Sequence, residues 1–149
     1  MENFNKLLKK GLELQKKGNF KEALKIYNEL IVKDKKNAQL LLFLGTLHLQ
    51  INNNEEAKNY LELSLDIEKN NITTISNLAL AYEKLEKKEE AIKLFKKSIE
   101  ISHNNPETFF RIANLYSSEK KYELAIENYQ KAIKLKPNFM FAYLNLGNA

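Results

Sequence analysis

Residues 106–135 read PETFFRIANLYSSEKKYELAIENYQKAIKL. On both sides of the polar segment SSEKKY, apolar residues recur three to four positions apart, which is the spacing of a one-sided helix. The first set comprises Phe109, Ile112, Ala113 and Tyr116, and the second comprises Tyr122, Ala125, Ile126, Tyr129, Ala132 and Ile133. Because the polar segment is short, we expect the two helices to fold back as an antiparallel hairpin.

The same pattern recurs along the whole chain with a spacing of 34 residues. Two series of small residues keep this spacing: Gly11, Gly45, Ala79, Ala113 and Gly147, and Ala23, Ala57, Ala91 and Ala125. A fixed period of this length is typical of stacked helical repeats. The sequence therefore predicts a single array over residues 1–149, with repeats 4–37, 38–71, 72–105 and 106–139 and a partial fifth repeat at 140–149.

The small residues have a physical purpose in such an array. A bulky side chain would hold two crossing helices apart, whereas glycine or alanine lets their backbones approach. One small residue on each helix of every repeat therefore predicts one close crossing point per hairpin. Neighbouring hairpins must stack on one another, because a single hairpin cannot bury its apolar faces alone.

These registers resemble the tetratricopeptide repeat family. The best match lies in residues 106–139, through Ala113, Tyr116, Tyr122, Ala125, Tyr129, Ala132 and Pro137. The resemblance implies an all-α fold, an α-solenoid of antiparallel helix hairpins wound as a right-handed superhelix. It also implies a scaffold that binds a peptide or protein segment in a concave groove lined by the first helix of each hairpin.

The resemblance places a set of candidate groove residues on the first helices. They are Asn77, Leu80, Phe110, Arg111, Asn114, Ser117, Asn145 and Asn148. An asparagine amide both donates and accepts hydrogen bonds, so a line of asparagines could bind a peptide backbone without reading its sequence. Two alternatives stay open: asparagine is common throughout this chain, and apolar residues such as Phe110 could pack between adjacent helices.

Composition argues against several other functions. The chain has no cysteine, and only His48 and His103 as histidines, with no partner at metal-ligand spacing. His48 occupies a register where other repeats carry an apolar or aromatic residue, and His103 lies in a connecting segment. No glycine-rich phosphate loop is present. We therefore expect no catalytic residue, no cofactor and no metal, and hence no enzymatic activity in this chain.

Net charge is +5, and ten lysines lie in residues 4–37. Nucleic-acid surfaces usually use arginine as well, and Arg111 is the only arginine, so solvated lysines are the favoured interpretation. No stretch reaches the roughly 18 apolar residues of a membrane span. The expected partner is thus a protein or peptide, without nucleic acid or membrane, and the expected location is cytoplasmic.

The last ten residues, MFAYLNLGNA, resemble the opening of another first helix and are strongly apolar. A terminal repeat should present a polar outer face. We therefore expect this end to be covered by self-association or by further chain. The alternative function follows from the second case: the array could be the N-terminal, substrate-holding arm of a longer enzyme such as a glycosyltransferase or sulfotransferase.

Overall fold

The computed structural model describes residues 3–149, which form nine helices and no strand. The helices are α1 (Phe4–Lys16), α2 (Phe20–Lys33), α3 (Ala38–Gln50), α4 (Asn54–Ile67), α5 (Ile72–Lys84), α6 (Lys88–Ile101), α7 (Pro106–Ser118), α8 (Tyr122–Leu135) and α9 (Met140–Asn148). The all-α fold class predicted from the sequence is confirmed. The chain divides into two compact units, Met1–Glu86 and Lys87–Ala149.

The first unit contains α1 to α5 and has its own core. The hairpins α1–α2 and α3–α4 each turn within three residues, as their short polar connections predict. Tyr27, Leu30, Leu40, Leu44 and Leu47 are fully buried in this core. The apolar helix α3 contributes most to it, with eight buried residues.

The second unit contains α6 to α9. Its hairpin α7–α8 has the turn at residues 119–121, so the predicted connection is shorter than SSEKKY, and its serines end α7. Ala113 on α7 and Ala125 and Ala132 on α8 are completely buried, in the small-residue registers of the repeat. Pro106 is in the first turn of α7, and Pro137 follows the end of α8.

Close crossing points between helices are confirmed in the first unit. A Cβ atom added to Gly11 would lie 2.5 Å from Cε1 of Tyr27 on α2. A Cβ on Gly45 would lie 2.8 Å from Cδ2 of Leu61 and 3.3 Å from the Ala57 carbonyl oxygen, both on α4. The large side chain of each second helix therefore fills the space that the glycine of the first helix leaves open.

Asparagines begin most of the first helices, a pattern that the sequence analysis did not detect. Asn3, Asn37, Asn71 and Asn105, each 34 residues after the last, accept a backbone N–H with their side-chain Oδ1. This bond satisfies one of the amide groups that a helix start leaves without a partner. The next residue in the series is Phe139, which makes no such bond at the start of α9. Its ring packs instead on Phe110, with centroids 4.8 Å apart.

A second 34-residue series ends the first helices. Gly18, Asn52, Glu86 and Lys120 all have φ between 59° and 80°, in the left-handed region. A residue of this conformation reverses the chain sharply after a helix. Glycine adopts it without steric cost, and asparagine does so more easily than most other residues. Only Gly18 supplies the glycine that this position favours.

Candidate functional site

The second unit contains a polar cleft of about 330 Å³. Its lining residues are Asn114, Ser117 and Ser118 of α7, Tyr129 of α8, and Asn145 and Asn148 of α9. Four of the eight groove residues predicted from the sequence thus come together here. None of the six lining side chains carries a charge at neutral pH.

A hydrogen-bonded trio forms the base of this cleft. The Tyr129 hydroxyl donates to Oδ1 of Asn114 at 2.6 Å, and Nδ2 of Asn145 donates to the same oxygen at 2.9 Å. Two donors on one carbonyl oxygen fix the orientation of the Asn114 amide. Within residues 3–149, the Asn114 Nδ2 group and the Asn145 Oδ1 atom have no hydrogen-bond partner, so both are available to a ligand.

Tyr129 holds this arrangement together from the hydrophobic side. Its side chain is 2% exposed. Burial raises the pKa of Tyr129, while hydrogen bonds with Asn145 and Ser117 act in the opposite direction. The hydroxyl therefore stays protonated at neutral pH and remains a donor to Asn114. The sequence analysis assigned Tyr129 to the hairpin core alone, and the only clue to its second role is that a buried tyrosine hydroxyl needs a partner.

Phe110 and Arg111 lie outside the lining of this cleft. The half-buried ring of Phe110 packs against Tyr129 and Phe139, with centroids 5.9 and 4.8 Å away. This is the packing alternative considered for apolar residues of the first helices. Arg111 is half-buried on the same helix and already engaged with a neighbouring group.

Asn77 and Leu80 belong to the first unit, on α5. Nδ2 of Asn77 donates to Oγ1 of Thr46 at 2.9 Å, and that hydroxyl donates to the Leu42 carbonyl at 2.8 Å. Asn77 and Asn145 share one repeat register, and so do Thr46 and Asn114. The asparagine of one first helix thus bonds to the preceding first helix in both units. Leu80 is half-buried nearby on the same helix.

The remaining surface features carry less chemistry. A shallow depression of about 730 Å³ follows α2 from Lys21 to Val32, but a single helix supplies its whole lining. His48 is 8% exposed and stacks on Tyr60, whereas His103 is exposed. Across residues 3–149, no three His, Asp or Glu side chains are grouped so that they could hold a metal ion. Nor does this part of the chain contain a helix long and apolar enough to cross a membrane.

Helical hairpins with 34-residue registers define a helical-repeat binding protein. Family models described as tetratricopeptide repeat match residues 14–80, 73–105 and 106–139. The chain therefore belongs to the tetratricopeptide repeat family. A search of curated proteins gives no match.

Several solved structures are similar. A crystal structure of MamA shares 26% identity with a TM-score of 0.87, over 92% of this chain and 80% of that chain. MamA residues 41–end from Desulfovibrio magneticus RS-1 share 17% identity with a TM-score of 0.86, over 92% of this chain and 77% of that one. YrrB, described as a TPR protein with an unusual peptide-binding site, shares 21% identity with a TM-score of 0.85, over 91% and 70%. The last two likenesses concern the fold alone.

Proposed function

We propose that this chain is a protein-interaction scaffold that holds an extended peptide segment in the polar cleft of its second unit. The observation that carries the proposal is the trio of Tyr129, Asn114 and Asn145, which fixes two amide groups and leaves one donor and one acceptor free. The membership of the tetratricopeptide repeat family supports a protein-binding role. A peptide-binding site is described for YrrB, which has a similar fold, and this supports a peptide as the class of ligand.

The free groups match the hydrogen-bonding groups of a peptide backbone. Each peptide unit offers one carbonyl acceptor and, except at proline, one N–H donor. In our proposal Nδ2 of Asn114 donates to a ligand carbonyl, and Oδ1 of Asn145 accepts a ligand N–H. Ser117 and Asn148 lie beside them in the cleft and supply further polar contacts.

This chemistry predicts a particular kind of specificity. Contacts to the backbone carry no information about side chains, so the cleft should accept many sequences in an extended conformation. Because the lining residues are uncharged, affinity should change little between low and physiological salt. A ligand held by charge would instead weaken strongly as salt increases.

The test uses a doubly capped nonapeptide selected from a random library on the wild-type protein. Replacing both asparagines, Asn114→Ala and Asn145→Ala, should weaken its binding about tenfold or more, since each lost hydrogen bond costs roughly 0.5–1.5 kcal/mol. Affinity is measured by fluorescence anisotropy at two salt concentrations. Asn128→Ala on α8 is the matched control, because its amide donates to the Leu124 carbonyl and lies outside the cleft lining.

Circular dichroism establishes that both variants keep the helical fold. If the double variant folds and binds the peptide as tightly as the wild type, the cleft is not the binding site. The enzyme-arm alternative, the lack of enzymatic activity and the cytoplasmic location stay predictions. So do the exclusion of nucleic acid and membrane as partners.

A further inference from the structure

The face of α9 that corresponds to buried positions in earlier helices is exposed. Tyr143 is 51% exposed, whereas Leu41 and Ile75, its equivalents in α3 and α5, are 2% and 0% exposed. Met140, one turn earlier on α9, is 78% exposed. Because residues three or four apart share a helix face, Met140, Tyr143 and Gly147 form one stripe. We call this stripe the α9 face.

Gly147 marks an unfilled space on the α9 face. A Cβ atom added there meets no atom within 4 Å. The glycines at the same register, Gly11 and Gly45, are instead covered by Tyr27 and Leu61 of the following helix. Ala113 occupies this register in α7 and is completely buried. In every one of these three hairpins, a second helix covers the small residue that Gly147 leaves open.

The covering helices define what fits this space. Each presents an alanine and, four residues later, a large side chain: Ala23 and Tyr27, Ala57 and Leu61, and Ala125 and Tyr129. All six side chains are at most 2% exposed. The α9 sequence, MFAYLNLGN, contains no charged residue, so apolar burial rather than charge would hold a partner there.

We propose that the α9 face binds an amphipathic helix of another polypeptide that carries a small residue followed four positions later by a large aromatic or aliphatic one. A second copy of this chain is a poor occupant, because its own matching pairs are buried against their own first helices. It could offer one only by opening a hairpin. The α9 face is distinct from the cleft, which uses Asn145 and Asn148 on the other side of α9, so this proposal goes beyond the peptide-binding function.

The test uses a labelled synthetic peptide of residues 121–136, KYELAIENYQKAIKLK, which is the second helix that covers Ala113 in this structure. Titrated with the 149-residue protein, it should bind saturably in fluorescence anisotropy. Gly147→Leu places a branched side chain in the open space and should weaken binding at least about tenfold, as overpacking does. Gly147→Ala is the matched control and should bind like the wild type, because alanine at this register already fits beneath Tyr129.

A peptide with Tyr129→Ala tests the partner side of the contact. It should also lose about tenfold or more, since it no longer carries the large side chain that fills the space. Absence of saturable binding, or equal binding by the wild type and Gly147→Leu with both folded by circular dichroism, overturns the proposal. So does a concentration-dependent dimer that Gly147→Leu abolishes and the peptide does not dissociate, because a second copy would then cover the face.

Discussion

At the scale of single residues, two tyrosines in one repeat register give their hydroxyl groups to side-chain amides. Tyr27 donates to Oε1 of Gln15 at 2.8 Å, and Gln15 donates onward to Gln50 at 2.6 Å. Tyr129 donates to Asn114 at 2.6 Å. A buried hydroxyl without a partner would cost roughly 1–3 kcal/mol, so each bond offsets the burial of its tyrosine. Only the second pair opens onto a cleft.

His48 should make the stability of the first unit depend on pH. Burial lowers the pKa of His48 below its ordinary value, and the Glu56 carboxylate opposes this shift. As the pH falls through about 6.5, the unfolded chain binds a proton before the folded one does, so the free energy of unfolding decreases. It stops decreasing from this cause once the folded pKa is passed. Urea unfolding followed between pH 7.5 and 5 measures the effect.

His48→Tyr should remove this component of the pH dependence, because tyrosine stays neutral throughout that range and Tyr82 and Tyr116 occupy the same register. His103→Asn is the control and should keep the wild-type profile, since His103 is exposed. A His48→Tyr protein whose stability falls with pH as steeply as the wild type would contradict the assignment to His48.

At the scale of helices, side-chain hydrogen bonds begin four of the five first helices, whereas the second helices begin without them. The second helices compensate with acidic residues in their first turns, such as Glu55 and Glu56 in α4 and Glu89 and Glu90 in α6. Negative charge near a helix start interacts favourably with the helix dipole. The two helix types therefore start by different physical means.

Asn71→Ala should destabilise the protein by about 1 kcal/mol, because it removes the bond from the Thr74 amide to Oδ1 at 3.1 Å. Asn19→Ala is the matched control, since Asn19 precedes α2 but its side chain makes no capping hydrogen bond. Chemical denaturation of both variants compares them with the wild type. Equal losses of stability in the two variants would show that the side-chain bond contributes nothing.

At the scale of the whole molecule, local stability should differ strongly between α3 and α9. α3 has eight buried residues, whereas α9 has one, Ala142. Segments with few buried apolar contacts open at low free-energy cost. We therefore expect amide hydrogen exchange to be slowest in α3 and fastest, among the helices, in α9. Mass spectrometry of the peptic fragments measures this order.

A dilution series serves as the control for the exchange experiment. Fast exchange in α9 should persist at every protein concentration. Protection of α9 equal to that of α7, lost only on dilution, would show that another molecule covers it in solution and would contradict the expected order.

The fold was predictable from the sequence because its signals are periodic. Gly11 and Gly45 stand 34 residues apart, and each faces a large side chain from a series with the same period. The register also brought Asn114 and Asn145 to one cleft. Two features have no such signal: the Phe110 ring packs inward rather than lining the cleft, and the division after Glu86 coincides with no change in composition. Both depend on side-chain rotation and contact density, which periodicity does not encode.

The left-handed residues at Gly18, Asn52, Glu86 and Lys120 restrict how such a chain can change in length. Each one reverses the chain at a fixed distance from the next capping asparagine. Deleting a single residue inside a helix would rotate all later side chains by about 100° and turn apolar ones outward. Gain or loss of a complete 34-residue segment leaves every face in place, so the protein can evolve smoothly only by duplicating or excising whole units of its gene.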